Sequence, residues 1–146
     1  MLTLTGTVGG TENRSALAYN PLLGLYYSVN AGNADYPLDT YAEDGSLAGT
    51  VPSGFDYRGA WWDPGGARLL GNGFASLGIF EQDLQAGTGL PLGTGTVVLS
   101  GNQPDVQSIG DLDTDANEII YYYLGSIHRY SAPTNELLGS YAVTGL

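Results

Sequence analysis

The sequence predicts an all-β protein, and two observations carry that prediction. Apolar residues keep helical spacing for no more than about one turn anywhere in the chain. Short runs rich in Val, Ile, Leu, Tyr and Phe are separated by clusters of Gly, Pro, Asn and Asp, which is typical of strands and turns. The segment Leu2–Val8, for example, alternates apolar residues with threonine, as a half-buried strand does.

The predicted strands fall into three units of four, preceded by the extra strand 2–8. We expect one domain over residues 1–146, with repeats at about 15–54, 55–101 and 103–145. The predicted strands of the first unit are Leu17–Pro21, Leu25–Val29, Leu38–Tyr41 and Leu47–Val51. Those of the second are Gly59–Pro64, Arg68–Gly71, Leu77–Phe80 and Leu92–Val98, and those of the third are Ser108–Asp113, Ile119–Tyr122, Ser126–Tyr130 and Leu137–Val143.

Recurring residues align the three units. The first strand of each unit ends at an Asx residue followed by Pro or Thr, which favours a turn closed by the Asx side chain; these residues are Asn20, Asp63 and Asp113. The third strands align at Tyr41, Phe80 and Tyr130. The fourth strands carry Gly-Thr or Gly-Ser, which suits a bulged outer edge, and the second unit has an insertion at 85–92.

The order of these segments resembles the blades of YVTN-type bacterial β-propellers. The resemblance runs through Tyr19-Asn20-Pro21, Leu25–Val29, Asp39-Thr40-Tyr41 and Asp44–Val51, and spans roughly residues 15–145. It implies that the first strand of each unit lines a central channel and the fourth lies outside. A β-sandwich is the alternative fold.

Three blades do not close a ring, because propellers have four to eight. We therefore expect an incomplete or oligomer-completed β-propeller. The chain is then a piece of a longer propeller, one half of a six-bladed ring of two copies, or an open arc whose ends a partner covers.

The sharpest chemical motif is an acidic turn in the third unit. Carboxylates at alternate positions of a tight loop can converge on one Ca²⁺ ion, and Asp111–Glu118 resembles the calcium loop of FG-GAP propeller blades. The resemblance implies side-chain ligands from Asp111, Asp113 and Asp115, a backbone carbonyl ligand from Asn117 and a closing carboxylate from Glu118. Two features depart from that pattern: Ala116 replaces a glycine, and Glu118 comes one residue early. An acidic turn that binds no ion is the alternative.

Composition excludes several kinds of chemistry. The sequence has no Cys and no Lys, and its net charge is -11, which opposes binding to nucleic acid or to an anionic membrane. No apolar run is long enough for a membrane-spanning helix. The single histidine, His128, is expected to lie on a strand and to be satisfied by local hydrogen bonds. The acidic, Gly- and Tyr-rich composition suits a bacterial extracellular or cell-envelope protein.

Two functions are consistent with these features. The first is a non-catalytic binding module that assembles with itself or with another protein, and that takes a glycan or a small molecule as ligand. The second is part of a propeller hydrolase or lyase with a metal-assisted site in the channel. The scarcity of histidine and of channel-facing acids favours the first.

Overall fold

The computed structural model describes residues 13–74 and 78–144. The expected strand at 2–8 lies outside the described residues, as does Leu77 at the start of one expected strand. Across the described ranges the chain forms twelve β-strands and no α-helix. Accordingly, no helix in this part of the chain has the length and apolar character needed to cross a membrane.

The strands form three four-stranded sheets, one after another along the chain. The first sheet contains β1 Asn13–Asn20, β2 Leu25–Ala31, β3 Pro37–Ala42 and β4 Leu47–Pro52. The second contains β5 Tyr57–Asp63, β6 Arg68–Gly73, β7 Ile79–Leu84 and β8 Pro91–Leu99. The third contains β9 Ile109–Asp113, β10 Glu118–Tyr123, β11 Ser126–Ser131 and β12 Leu137–Ala142.

Every neighbouring pair within a sheet is antiparallel and consecutive in sequence. The prediction of an all-β chain is therefore confirmed, and so is its division into three four-stranded units. Hydrophobic alternation and turn residues are local signals, so they located these hairpins well.

The turn between the first and second strands repeats in all three sheets. The Oδ1 atom of an Asx residue accepts a hydrogen bond from the backbone amide two residues later, over distances of 3.0, 2.9 and 3.1 Å for Asn20, Asp63 and Asp113. Four residues after each Asx the backbone is left-handed, with φ values of 64°, 52° and 55° at Gly24, Ala67 and Asn117. The repeated Asx residue therefore fixes a common starting point for comparing the sheets.

The sheets pack face to face in chain order, with their first strands adjacent. Strand β5 contacts β1 on one side and β9 on the other. The first core cluster joins the first and second sheets, where Phe55 and Phe80 stack with ring centroids 4.2 Å apart. The second cluster joins the second and third sheets through Trp61, Leu70 and Ile79 on one side and Ile119, Tyr121 and Tyr130 on the other.

Counting from the Asx residue shows that corresponding side chains face the same way in each sheet. Positions six residues later face the preceding sheet: Leu69 packs toward the first sheet and Ile119 toward the second. Positions five, seven and nine residues later lie on the opposite face; they are Leu25, Tyr27 and Val29, then Arg68, Leu70 and Asn72, then Glu118, Ile120 and Tyr122. In the first and second sheets this face packs on the next sheet along the chain. We call it the trailing face of each sheet, and the opposite one the leading face.

Strand register corrects one expected equivalence. Tyr41 pairs with Tyr26 and Tyr130 pairs with Ile119, each six residues after the Asx residue. The residue that pairs with the corresponding Leu69 is Gln82, so the expectation that Phe80 occupies this position is wrong. Gln82 is buried and satisfied, because its amide accepts from the Tyr57 hydroxyl and donates to the carbonyl of Thr94.

The expected irregularities of the fourth strands are present. Register shifts occur next to the pairings of Thr40 with Gly49 and of Arg129 with Gly139. The insertion of the second sheet lengthens the β7–β8 hairpin, whose end reaches the first sheet. There the Tyr27 hydroxyl donates a buried hydrogen bond of 2.9 Å to the carbonyl of Gly89.

Candidate functional site: an acidic turn, two outer faces and a groove

The residues of the expected calcium loop lie at the β9–β10 turn and are largely engaged by protein groups. Asp113 Oδ1 accepts hydrogen bonds from the amides of Asp115 and Ala116, at 3.1 and 3.0 Å. Asp111 Oδ1 accepts the amide of Leu112 at 2.8 Å. The backbone carbonyl of Asn117 accepts the amide of Ala132 at 3.1 Å.

Glu118, expected to close that loop, is held by an arginine instead. Arg129 donates from Nε to Oε2 and from Nη2 to Oε1 of Glu118, both over 2.5 Å. These hydrogen bonds, aided by the positive charge, lower the pKa of Glu118 below its usual value. The same contact raises the pKa of Arg129.

The described residues contain no group of three or more His, Asp or Glu side chains arranged to hold a metal ion. The structure thus places Asp111 and Asp113 on β9, Asp115 and Asn117 in the turn, and Glu118 at the start of β10. Calcium binding at these residues stays a prediction from the sequence. His128, on β11, has its Nδ1 atom 2.8 Å from the Ser140 hydroxyl, the kind of local hydrogen bond that was expected.

The trailing face of the third sheet carries exposed apolar side chains. Tyr122 on β10 is 42% exposed and Ile109 on β9 is 49% exposed, and these two residues pair directly across the strands. Half-buried Ile120 and Ile127 lie beside them. The Glu118–Arg129 ion pair and the exposed Tyr141 border this surface, with Arg129 also donating to the Tyr141 hydroxyl. We call this surface the third-sheet face.

The leading face of the first sheet is more polar. Leu17 and Tyr19 on β1 are exposed there, and Tyr19 packs against Tyr26 with ring centroids 4.7 Å apart. Arg14 forms an ion pair with Asp39 at 2.5 Å, and the Asp39 carboxylate also accepts the hydroxyl of Thr50. The two ends of the stack of sheets therefore offer different surfaces.

A groove of about 350 Å³ lies between the second and third sheets. Its floor is apolar and includes Trp61, Leu70 and Ile79 from the second sheet and Ile119 from the third. Asp63 and Arg68 lie at its mouth, where Arg68 pairs with Asp63 at 2.6 Å and with Glu81 at 3.2 Å. Ala132 and Pro133 of the β11–β12 turn form the opposite wall.

The two adjacent tryptophans contribute to different interfaces, as strand alternation predicts. Trp61 belongs to the cluster between the second and third sheets and is only 3% exposed. Trp62 packs against the other cluster and stacks on Tyr27, with ring centroids 6.3 Å apart. Both rings are therefore engaged in packing between sheets.

Comparison with known proteins gives a likeness of fold alone. No protein-family model matches the chain, and no curated protein matches it. Many solved structures are similar, including the following two. A protein of unknown function from Bacteroides caccae has a TM-score of 0.50 and 12% identity, and the computationally designed Ika8 protein has a TM-score of 0.51 and 15% identity.

These similarities extend over most of this chain but only part of each neighbour. The match covers 94% of this chain and 48% of the Bacteroides protein, and 96% of this chain and 39% of the designed protein. The chain thus spans half or less of the length of these structures.

Proposed function

We propose that the chain is a non-catalytic interaction module of the β-propeller type, and that the third-sheet face packs against the first-sheet leading face of a second copy. One observation carries the proposal: the residues of the first and second sheets that are equivalent to Ile120, Tyr122 and Ile127 of the third-sheet face are buried between sheets. The three sheets meet in chain order, first strand beside first strand, as propeller blades do.

The equivalence is close at the centre of the face. Tyr122 stands nine residues after its Asx residue, where the first sheet has Val29 and the second has Asn72, both fully buried. Ile120 stands where the other sheets have Tyr27 and Leu70, which pack in the two core clusters. A sheet surface with this pattern is stabilised when another sheet removes its apolar side chains from water.

A leading face is the natural complement, because both internal interfaces pair a trailing face with a leading face. Among the described residues, the leading face at an end of the stack belongs to the first sheet; Leu17 and Tyr19 are exposed there, whereas Asp39 and Tyr41 are buried. Such a contact joins two different surfaces, so it is heterologous and closes into a ring only if the rotation allows. Two copies would supply six sheets, a number within the range of known propellers.

Charge modulates the association in a testable way. Each copy carries a net charge of -11, so two copies repel one another at low ionic strength. At 0.1 M ionic strength the Debye length is about 10 Å, so salt screens the repulsion between charges that lie farther apart than this. The apolar contact between the two faces is not screened. We therefore expect self-association to strengthen as salt is added.

Sedimentation velocity over a range of protein and salt concentrations is the direct test. We expect a species of twice the chain mass that becomes more populated with concentration and with salt. A monomer at every concentration up to about 100 μM, where even weak interfaces assemble, would refute self-association.

Substitutions can then locate the contact. Tyr122→Asp puts a charge in the centre of the third-sheet face and should return the protein to monomer. Leu22→Asp is the control, because Leu22 is also exposed (69%, against 42% for Tyr122) but lies in the β1–β2 turn and not on either face. Equal loss of association in both variants would mean that added charge, and not this face, controls assembly.

A further inference from the structure

We propose that the groove between the second and third sheets binds a short, uncharged peptide segment that presents a branched apolar side chain next to a main-chain carbonyl. The proposal is independent of self-association, because the groove lies against the leading face of the third sheet and shares no residue with the third-sheet face. At the equivalent place between the first and second sheets, a segment of the chain itself lies against the first sheet.

In that first interface the occupant is the end of the β7–β8 hairpin. Gly89 packs so closely on Leu25 and Tyr27 that an added Cβ would lie 3.2 Å from the Leu25 side chain and from the Tyr27 hydroxyl. The next residue, Leu90, is half-buried and lines a cavity of about 220 Å³ together with Leu38 and Val51. A Gly-Leu segment thus supplies one carbonyl for a hydrogen bond and one branched side chain that packs beside these apolar residues.

The groove is lined by the residues equivalent to those that the Gly-Leu segment contacts. Arg68 and Leu70 stand at the positions of Leu25 and Tyr27, five and seven residues after the Asx residue. The pair of Ile79 with Leu99 across β7 and β8 corresponds to the pair of Leu38 with Val51 across β3 and β4. The groove therefore lies at the place that corresponds, in strand position, to the contact of the Gly-Leu segment with the first sheet.

In the groove the occupant is missing because the corresponding hairpin is shorter. The β11–β12 turn spans residues 132–136, whereas the β7–β8 hairpin is extended by the insertion. Side-chain changes also reshape the space: Leu70 and Leu112 replace the larger Tyr27 and Trp62 at equivalent positions, whereas Trp61 replaces the smaller Ala18. The remaining volume of about 350 Å³ is within the range of small-ligand sites.

The polar group at the mouth determines which peptide fits. Arg68 is 39% exposed, and its guanidinium carries more N–H donors than its bonds to Asp63 and Glu81 use. It can therefore donate to a carbonyl oxygen, the role that the Tyr27 hydroxyl plays for Gly89. Asp63 and Glu81 leave the mouth with a net negative charge, so an uncharged segment is favoured over a carboxylate.

The binding probe is a peptide with the sequence of the β7–β8 hairpin segment that contacts the first sheet. We would use the acetylated, amidated octapeptide with the sequence of residues 85–92, Gln-Ala-Gly-Thr-Gly-Leu-Pro-Leu, and follow its titration by NMR. We expect saturable shifts of the Trp61 indole and of the Leu70 and Ile119 methyl groups, with a Kd of about 1 mM, as suits so small a site. The same peptide with Asp in place of its first Leu should bind at least tenfold more weakly.

A protein variant distinguishes binding in the groove from nonspecific binding of the peptide elsewhere on the protein. Ala132→Leu places a larger side chain in the wall of the groove, where the second sheet has Leu84, and should abolish the titration. Ala48→Leu adds the same volume on the outer strand of the first sheet and should leave the titration unchanged. The proposal is overturned if the wild-type protein shows no saturable shifts, if the Asp peptide binds equally, or if folded Ala132→Leu still binds.

Discussion

Glu118 and Arg129 in the third sheet stand at the same two positions as Arg68 and Glu81 in the second, with the charges exchanged. Arg68 and Glu118 each lie five residues after an Asx residue. Glu81 pairs with Leu70 across the strands, and Arg129 pairs with the equivalent Ile120. The repeat therefore preserves an ion pair at this place (at 3.2 Å in the second sheet and 2.5 Å in the third) while it reverses the direction of the pair.

The Glu118–Arg129 pair predicts a specific acid sensitivity. Because the pKa of folded Glu118 is lowered, its contribution to stability is present above the pKa of the unfolded chain and is lost as pH falls through the folded pKa. Between pH 6 and pH 3 the free energy of unfolding should therefore drop less in Glu118→Gln than in the wild type. Chemical denaturation at both pH values measures this, with Glu136→Gln as the control; equal drops in Glu118→Gln and wild type would contradict it.

The left-handed residue of the β5–β6 turn predicts a stabilising substitution. Ala67 has φ 52°, a conformation that costs an L residue about 1–2 kcal/mol, whereas glycine adopts it freely. Ala67→Gly should raise the free energy of unfolding by about 0.5–1 kcal/mol, after allowing for the greater freedom of the unfolded chain. Gly24→Ala, at the equivalent turn with φ 64°, should lower it. Thermal melting of both variants gives the signs, and a loss of stability in Ala67→Gly would refute the argument.

The hydrogen bond between Tyr27 and Gly89 predicts how firmly the insertion is attached to the first sheet. Tyr27→Phe removes the buried donor to the Gly89 carbonyl and should cost about 1–3 kcal/mol. Tyr26→Phe, on the opposite face of the same strand, is the matched control and should change stability by about 0.5 kcal/mol or less. Equal small effects in the two variants, measured by urea denaturation, would show that the Tyr27 hydroxyl does not hold the insertion.

The calcium loop expected from the sequence is testable without disturbing the turn. Asp113 closes the turn through two backbone amides, so replacing it would lower stability with or without metal. Asp115→Asn, at an exposed position of the same turn, removes a carboxylate and leaves those hydrogen bonds in place. Calcium binding predicts a rise in the wild-type Tm at millimolar CaCl₂ that is smaller in Asp115→Asn. An unchanged wild-type Tm would exclude this site.

The sequence located the strands and turns well, because alternation and turn chemistry depend on neighbouring residues. The Asx turns at Asn20, Asp63 and Asp113 are examples, and each forms with its own local amide. The alignment of the third strands failed at Phe80, since matching one aromatic to another favoured a position two residues from the true one, Gln82. A buried glutamine is stabilised by partners that become adjacent only through the register of several strands.

The candidate sites depended even more on cross-strand geometry. The pairing of Glu118 with Arg129 needs the β10–β11 register, so the acidic motif alone suggested a metal ligand. The groove also went unpredicted, although the sequence held a signal for it. Leu70 and Leu112 are smaller than Tyr27 and Trp62 at equivalent positions, and that difference becomes visible once the repeats are aligned on the Asx residues.

The stacking of three sheets in chain order also has a consequence for how the protein opens. Each sheet is built from consecutive hairpins, so most of its hydrogen bonds depend on its own segment of sequence, and its neighbours add the packing. Among residues 13–74 and 78–144, the two core clusters pack the second sheet on both faces and the first and third sheets on one face each. Local unfolding should therefore spread inward from the two ends, and the amides of β6 and β7 should be the last to exchange with deuterium.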